Sequence, residues 1–525
     1  RWWDDLWLNE AFATWMAAKA VDAWKPAYDQ RMDLLQSRKI AMQTDSLSAA
    51  RKVRQEVRTV GEANQAFDSL TYQKGALVLT MLERWVGEEA FRAGVRDYLR
   101  ANEWGNATAD DLWRAIDRAS GRDVAGVART FLETPGVPLV ELSGEGNART
   151  LRQSAYKLAG TAGPVEKGHR WKVPVRLSGA DWSLLESESG LGPEGAASAC
   201  HPNEGEWSYY RWAVDAKSLR HLAGASAPQD VRSRLGVLEN AWGMVAAGRV
   251  TPDAYLETVQ AMKAATERPL MEESILGPLR VYDLWEEEAR LPGFAAFVRG
   301  LLGGHLARLG LRPRSGESED DAIVRPQLLH VLGYTIREGA VMDDAATAAQ
   351  AYLKDPASVP SDLAPIALGL AAREGRLSVA DCRMLLGRAR TPDERIAALR
   401  GLSMVPPANL KEALDLTLTK EFRAQDMLTV LRSALSRPEA RAGAFAWFQS
   451  NYDGVRSRQS PHSFVHIGNL IGMCRARAER DAVRAFLEAH PVPGGDRAIK
   501  QGVERADHAI SLRESGAASV RKFLS

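Results

Sequence analysis

Apolar and polar positions change their period twice along this chain. From Leu6 to Val21 there is no Pro or Gly, and the Ala content favours a helix. Asp45-Ser46-Leu47 opens a polar, weakly periodic connection that runs to about Phe67. The apolar run Leu77-Val78-Leu79-Thr80-Met81-Leu82 restores a helical pattern. Thr108 with Asp111 three residues on reads as a capping box for a helix through Arg118. Pro135-Gly136 breaks this pattern and period two follows. Trp171, Val173, Val175 and Leu177 alternate with Lys172, Pro174 and Arg176, as in a half-buried strand, and Pro174 predicts an edge position. Val137 to Leu142, Leu151 to Leu158 and Trp207 to Val214 read as further strands, separated by Gly-rich and Ser-rich turns. From about Pro228 to Ser525 the spacing is helical again. Leu235, Leu238, Trp242 and Val245 share one face, and Thr391-Pro392-Asp393-Glu394 combines N-cap, Pro at N1 and Glu at N3.

The pattern predicts a mainly α, multidomain chain. A helical segment over 1–134 is followed by a small antiparallel β-sandwich over 135–216 and a helical-repeat domain over 217–525. Helices of ten to twenty residues recur in the last part without a repeat of fixed period, which predicts stacked helical pairs in a curved solenoid. At 525 residues the chain has room for about three sizeable cores. A formal net charge of +1 argues against a dedicated nucleic-acid or anionic-membrane binder. No apolar run approaches the roughly 18 residues of a membrane span. Cys200, Cys382 and Cys474 are too far apart in sequence for a disulfide framework or a C-x-x-C site, which leans toward a reducing, cytoplasmic compartment.

The chemistry concentrates at the start. Arg1 to Trp15 holds four tryptophans around Glu10, a carboxylate that would be costly to bury unless paired or metal-bound. The stretch Trp2-Trp3-Asp4-Asp5-Leu6-Trp7-Leu8-Asn9-Glu10-Ala11-Phe12-Ala13 resembles the W-W-x-D-L-W-L-N-E-G/A-F-A segment of the zinc aminopeptidases related to aminopeptidase N. Phe67-Asp68-Ser69-Leu70-Thr71-Tyr72-Gln73-Lys74-Gly75-Ala76 is similar to the same family's F-D-x-I-x-Y-x-K-G-A helix. The resemblance implies a partial thermolysin-like helical catalytic domain, with Glu10 as a zinc ligand and Tyr72 as the donor to the reaction's oxyanion. It also implies one Zn2+ per enzyme and a peptide substrate with a free N-terminus. Asp4, Asp5 and Asn9 stand either as orienters of the ligands or as helix caps. Lys74 reads as a solvated lysine, and Gly75 as a close packing contact.

The family's other two zinc ligands belong to an H-E-x-x-H helix about eighteen residues before the third, and no H-E-x-x-H occurs in this sequence. The expectation is an N-terminally truncated enzyme, not competent alone, with a complete C-terminus and any targeting region lost upstream. Two alternatives stand beside it: a non-catalytic family scaffold that binds proteins, and a family member with epoxide-hydrolase activity. His462 and His466 have the i, i+4 spacing of a zinc pair but lack the Glu and follow Pro461, so no metal is expected there.

Overall fold

The computed structural model describes residues 3–59, 62–63, 66–144, 149–165, 168–187, 189–190, 200–224 and 230–525. It divides into two compact units, Arg1–Met262 and Lys263–Ser525.

The first unit begins with helices α1 (Leu6–Trp24) and α2 (Gln30–Asp45). A π-helical turn, Leu70–Lys74, runs directly into α3 (Gly75–Val86), followed by α4 (Glu88–Ala101), α5 (Ala109–Ser120) and α6 (Val124–Leu132). Helix α1 forms over the predicted stretch because Trp7, Leu8, Ala11, Trp15 and Ala18 fall on one buried stripe. Trp7 stacks on Trp113 of α5 with ring centroids 6.0 Å apart, and the Trp15 indole donates to Glu83 of α3 at 3.1 Å. The expected capping box opens α5. Asp111 N–H donates to the Thr108 hydroxyl, and the Thr108 N–H donates to the Asp111 carboxylate at 2.8 Å.

The strands are β1 (Pro138–Ser143), β2 (Thr150–Ala155), β3 (Val173–Val175), β4 (Ser183–Leu185), β5 (Ser189–Gly190) and β6 (Arg211–Ala213). They form a four-stranded sheet in the order β5-β2-β1-β6 and a two-stranded sheet β3-β4. Pairing is antiparallel except between β1 and β6, which run parallel and so depart from the antiparallel expectation. Gln153 of β2 ties the two sheets. Its amide donates to the Trp171 and Leu185 carbonyls at 2.7 and 2.9 Å, and its oxygen accepts from Trp171 N–H. Pro174 is buried but lies on a two-stranded sheet, where both strands are edges.

The closing strand is shorter than the pattern predicts, three residues in place of Trp207 to Val214. Gly205 and Glu206 both take positive φ (68° and 54°), which turns the chain just before Trp207. The Trp207 ring is then held between the guanidinium groups of Arg84 and Arg232, 4.0 and 3.9 Å from its centroid.

Behind this turn lies a buried charge cluster. Arg38 of α2 pairs with Glu206 and, at 2.8 Å, with Glu239 of the helix Val231–Ala246. Trp212 Nε1 donates to Glu206 Oε1 at 2.8 Å, and Asn203 donates to its other oxygen at 3.3 Å. Burial works against the Arg38 charge, but the two carboxylates outweigh it and hold the guanidinium above its ordinary pKa. Gly236 makes the room: a Cβ there would sit 1.9 Å from Glu206 Oε1.

The second unit is helical throughout its regular structure, from Arg268–Leu284 to the 29-residue helix Asp496–Leu524. Thr391 caps Pro392–Met404 by accepting the Glu394 N–H, as its sequence predicts. Arginines tie separate elements together through main-chain oxygens. Arg325 donates to Leu309 O, Arg373 to Tyr334 O, Arg437 to Ser403 O and Val405 O, Arg441 to Leu435 O, and Arg513 to Arg475 O. Most of these oxygens lie at helix C-termini, where carbonyls lack intrahelical donors and cations are favoured. Among the described residues no helix is long and apolar enough to cross a membrane.

Candidate functional site

Helices α1 and α3 meet where both carry their smallest side chains. A Cβ on Gly75 would lie 2.5 Å from the Ala11 Cβ and 3.6 Å from the Trp7 ring, so only glycine allows this approach. The close-packing expectation for Gly75 therefore holds. Gly75→Val is expected to force the helices apart and lower stability by about 1–3 kcal/mol, read as a drop in the thermal midpoint. An unchanged midpoint would mean that the contact yields freely.

The contact sits beside the two residues singled out by sequence. Glu10 is adjacent to Ala11, and Tyr72 lies on the π turn three residues ahead of Gly75. The Glu10 carboxylate lies near enough to the Tyr72 phenol to act on it electrostatically. Both residues are half-buried. Partial burial, then the neighbouring Glu10 carboxylate, raises the phenol above its usual pKa. Like any tyrosine of ordinary pKa, it is protonated at neutral pH and can donate. A π turn inserts one residue into the helical count, and this one turns Tyr72 toward α1.

Both ends of that turn are clamped by the connection that reads as loop in the sequence. Arg51 donates to Ala66 O at 2.9 Å, to the Thr71 hydroxyl at 2.6 Å and to Asp68, whose carboxylate accepts the Leu70 and Thr71 N–H groups. At the other end Lys74 is not solvated. Its side chain is 0% exposed, as is that of Asp45, and the two pair at 2.8 Å. Burial pulls the Lys74 pKa down and the Asp45 pKa up, each opposed by the partner's charge. The sequence reading missed both anchors because nothing local marks them; only the fold brings Asp45 and Arg51 to the turn.

Asp5 and Asp4 serve the fold. The Asp5 carboxylate accepts from Arg54 at 2.9 Å and from Ala109 N–H at 3.2 Å, so it caps α5 and not its own helix. Asp4 accepts the Val57 N–H at 3.0 Å. Asn9 is exposed and lines an open cavity of about 680 Å³ with Trp3, Leu6, Tyr98 and Asn102. His466 lies on the 3₁₀ stretch Val465–Met473, while the His462 side chain lies outside the described residues.

The sequence profile of the Peptidase family M1 domain matches residues 1–131, which contain Glu10 and Tyr72, and that of the ERAP1-like C-terminal domain matches residues 200–508. The chain belongs to peptidase family M1. This M1 chain is 28% identical over 472 residues to Tricorn protease-interacting factor F2 of Thermoplasma acidophilum, covering 89% of the chain and 57% of that protein. It is 26% identical over 538 residues to Aminopeptidase M1 of Arabidopsis thaliana (96% and 60%). With Aminopeptidase N of Lactococcus lactis subsp. lactis the identity is 25% over 555 residues (100% and 64%). The chain thus spans 57 to 64% of the length of these relatives.

M1 aminopeptidases are generally zinc-dependent. Glu10, half-buried on α1, has the chemistry of one oxygen ligand. Among the described residues, however, no group of three His, Cys, Asp or Glu could hold a metal ion. Glu10 alone would be one ligand where a catalytic zinc takes about three from protein.

Proposed function

We propose that this chain is the part of a zinc aminopeptidase that carries one metal ligand, Glu10, and the oxyanion donor, Tyr72. Two histidines of an H-E-x-x-H helix complete the site from sequence outside these 525 residues. The carrying observation is that the close Ala11–Gly75 contact and the clamped π turn bring the Tyr72 phenol within electrostatic reach of the Glu10 carboxylate. Two residues chosen separately by motif come together on a packed, clamped framework. The names of the relatives support the reaction class, and the substrate would be a peptide with a free N-terminus. When bound, zinc polarises the scissile carbonyl and activates water. Glu10 would hold the ion from one side. Tyr72, kept protonated, would donate to the carbonyl oxygen as it gains charge, and the clamped π turn would keep that donor in place. The stacked helices of the second unit read as a solenoid, with no catalytic group assigned to them. A non-catalytic scaffold would have no use for a carboxylate and phenol held half-buried against each other.

The test compares this chain with one extended at its start to include an H-E-x-x-H segment. The 525-residue chain should bind little zinc and release no product from an amino-acid amide. The extended chain should bind about one zinc and hydrolyse the amide, and Glu10→Gln should lower zinc occupancy with activity falling in proportion. Full zinc occupancy in the Glu10→Gln enzyme would remove Glu10 from the ligand set.

A further inference from the structure

The pair that overturns the solvated reading of Lys74 points to a function of its own. Lys74 and Asp45 are each 0% exposed and meet at 2.8 Å. Asp45 also accepts the Gly136 N–H at 2.8 Å and the Tyr209 hydroxyl at 3.2 Å. Lys74 Nζ lies 3.3 Å from Thr134 O and 3.4 Å from Gly136 O, and 5.6 Å from the centroid of the Tyr209 ring. Four separate stretches of chain therefore converge on one ammonium group: the end of α2, the π turn, the link from α6 to β1, and the approach to β6. Two buried apolar side chains would fill the same space without the desolvation that a buried ion pair incurs. What the pair adds is direction, because charge-assisted hydrogen bonds fix orientation as packing alone does not.

That direction bears on Tyr72. Side chains two apart on a helical turn point to nearly opposite sides, about 160–200° around the axis. Anchoring Lys74 in the core sets the rotation of the turn, and with it the outward aim of the phenol. We propose that Asp45, Lys74 and the Tyr209 hydroxyl are positioning residues for Tyr72. They hold the π turn so that the phenol meets Glu10 and the oxygen reacting beside it. The strand segment before β6 thereby takes part in the catalytic geometry. This rests on the oxyanion role of Tyr72 given above.

The experiment is a double-mutant cycle in the extended, zinc-loaded enzyme. Asp45→Asn combined with Lys74→Met neutralises the pair, and Tyr209→Phe removes a single hydroxyl. Each is made with Tyr72 present and in a Tyr72→Phe background. The neutralised pair should lower kcat by roughly tenfold or more, since small misplacements of a reacting group are costly, with KM and zinc content unchanged. In the Tyr72→Phe background the same change should cost less than about twofold, because the group being aimed is gone. Tyr209→Phe should act in the same direction by a smaller factor, and it carries the test if the double variant does not fold. Equal fold-losses in both backgrounds, or a lowered thermal midpoint with kcat intact, would overturn the positioning role. If Tyr72→Phe alone left kcat unchanged, the oxyanion role would fall first and this inference with it. A second readout needs no activity. Fluorine NMR of 3-fluorotyrosine at position 72 in the 525-residue chain should show a shifted or broadened resonance in the neutralised pair. An unmoved resonance would sink the positioning role while leaving the oxyanion role standing.

Discussion

Tyr72→Phe in the extended, zinc-loaded enzyme is expected to lower kcat by about 10²–10³, with little change in KM and none in zinc content. The substitution removes one donor and keeps the ring. A hydrogen bond to the substrate oxygen strengthens only as that oxygen gains charge, so its loss appears in kcat and not in ground-state binding. The hydroxyl is not a ligand, and a carboxylate offers about four acceptor sites, so Glu10 can hold a metal without the phenol. Steady-state kinetics on an amino-acid amide, with zinc by elemental analysis on the same samples, separates these effects. Near-wild-type kcat would remove the oxyanion role, and a parallel loss of zinc would make the phenol a support for Glu10 instead.

The largest stability effect is expected at Arg38. Arg38→Met leaves Glu206 and Glu239 buried side by side without their cation. Removing one member of a buried, hydrogen-bonded charge set costs about 3–5 kcal/mol. For a unit of this size that is a fall in thermal midpoint of roughly 6–20 °C. Glutamine at both acidic positions should restore most of it, because the like charges vanish while acceptors remain for Trp212 and Asn203. Scanning calorimetry of the single and triple variants decides the matter. A loss below about 1 kcal/mol in Arg38→Met would mean that water or a neighbouring group neutralises the carboxylates.

The residues legible in the sequence were those whose evidence is local. The four-tryptophan stretch and the Tyr-x-Lys-Gly run pointed to Glu10 and Tyr72, and the caps at Thr108 and Thr391 follow from spacing alone. The illegible part has one common cause, long-range partnership. Lys74 reads as surface because Asp45, Thr134 and Gly136 are remote in sequence, and the partners of Arg38 are as remote. A π turn inserts one residue without a residue-type signature, so the run from Phe67 to Leu82 looks like one uniform helix. The parallel β1–β6 pairing could not be read either, because period two reports which face is buried and not which way a neighbour runs.

The arginine links of the second unit account for another silence in the sequence. Their acceptors are carbonyl oxygens, which every residue type carries alike. A helix receiving such a link can therefore change its side chains while the junction survives. The donors at 325, 373, 437, 441 and 513 follow no fixed interval. Joints of this kind need an arginine on one side but no particular side chain on the other, so the receiving half of each junction can drift without leaving a shared motif.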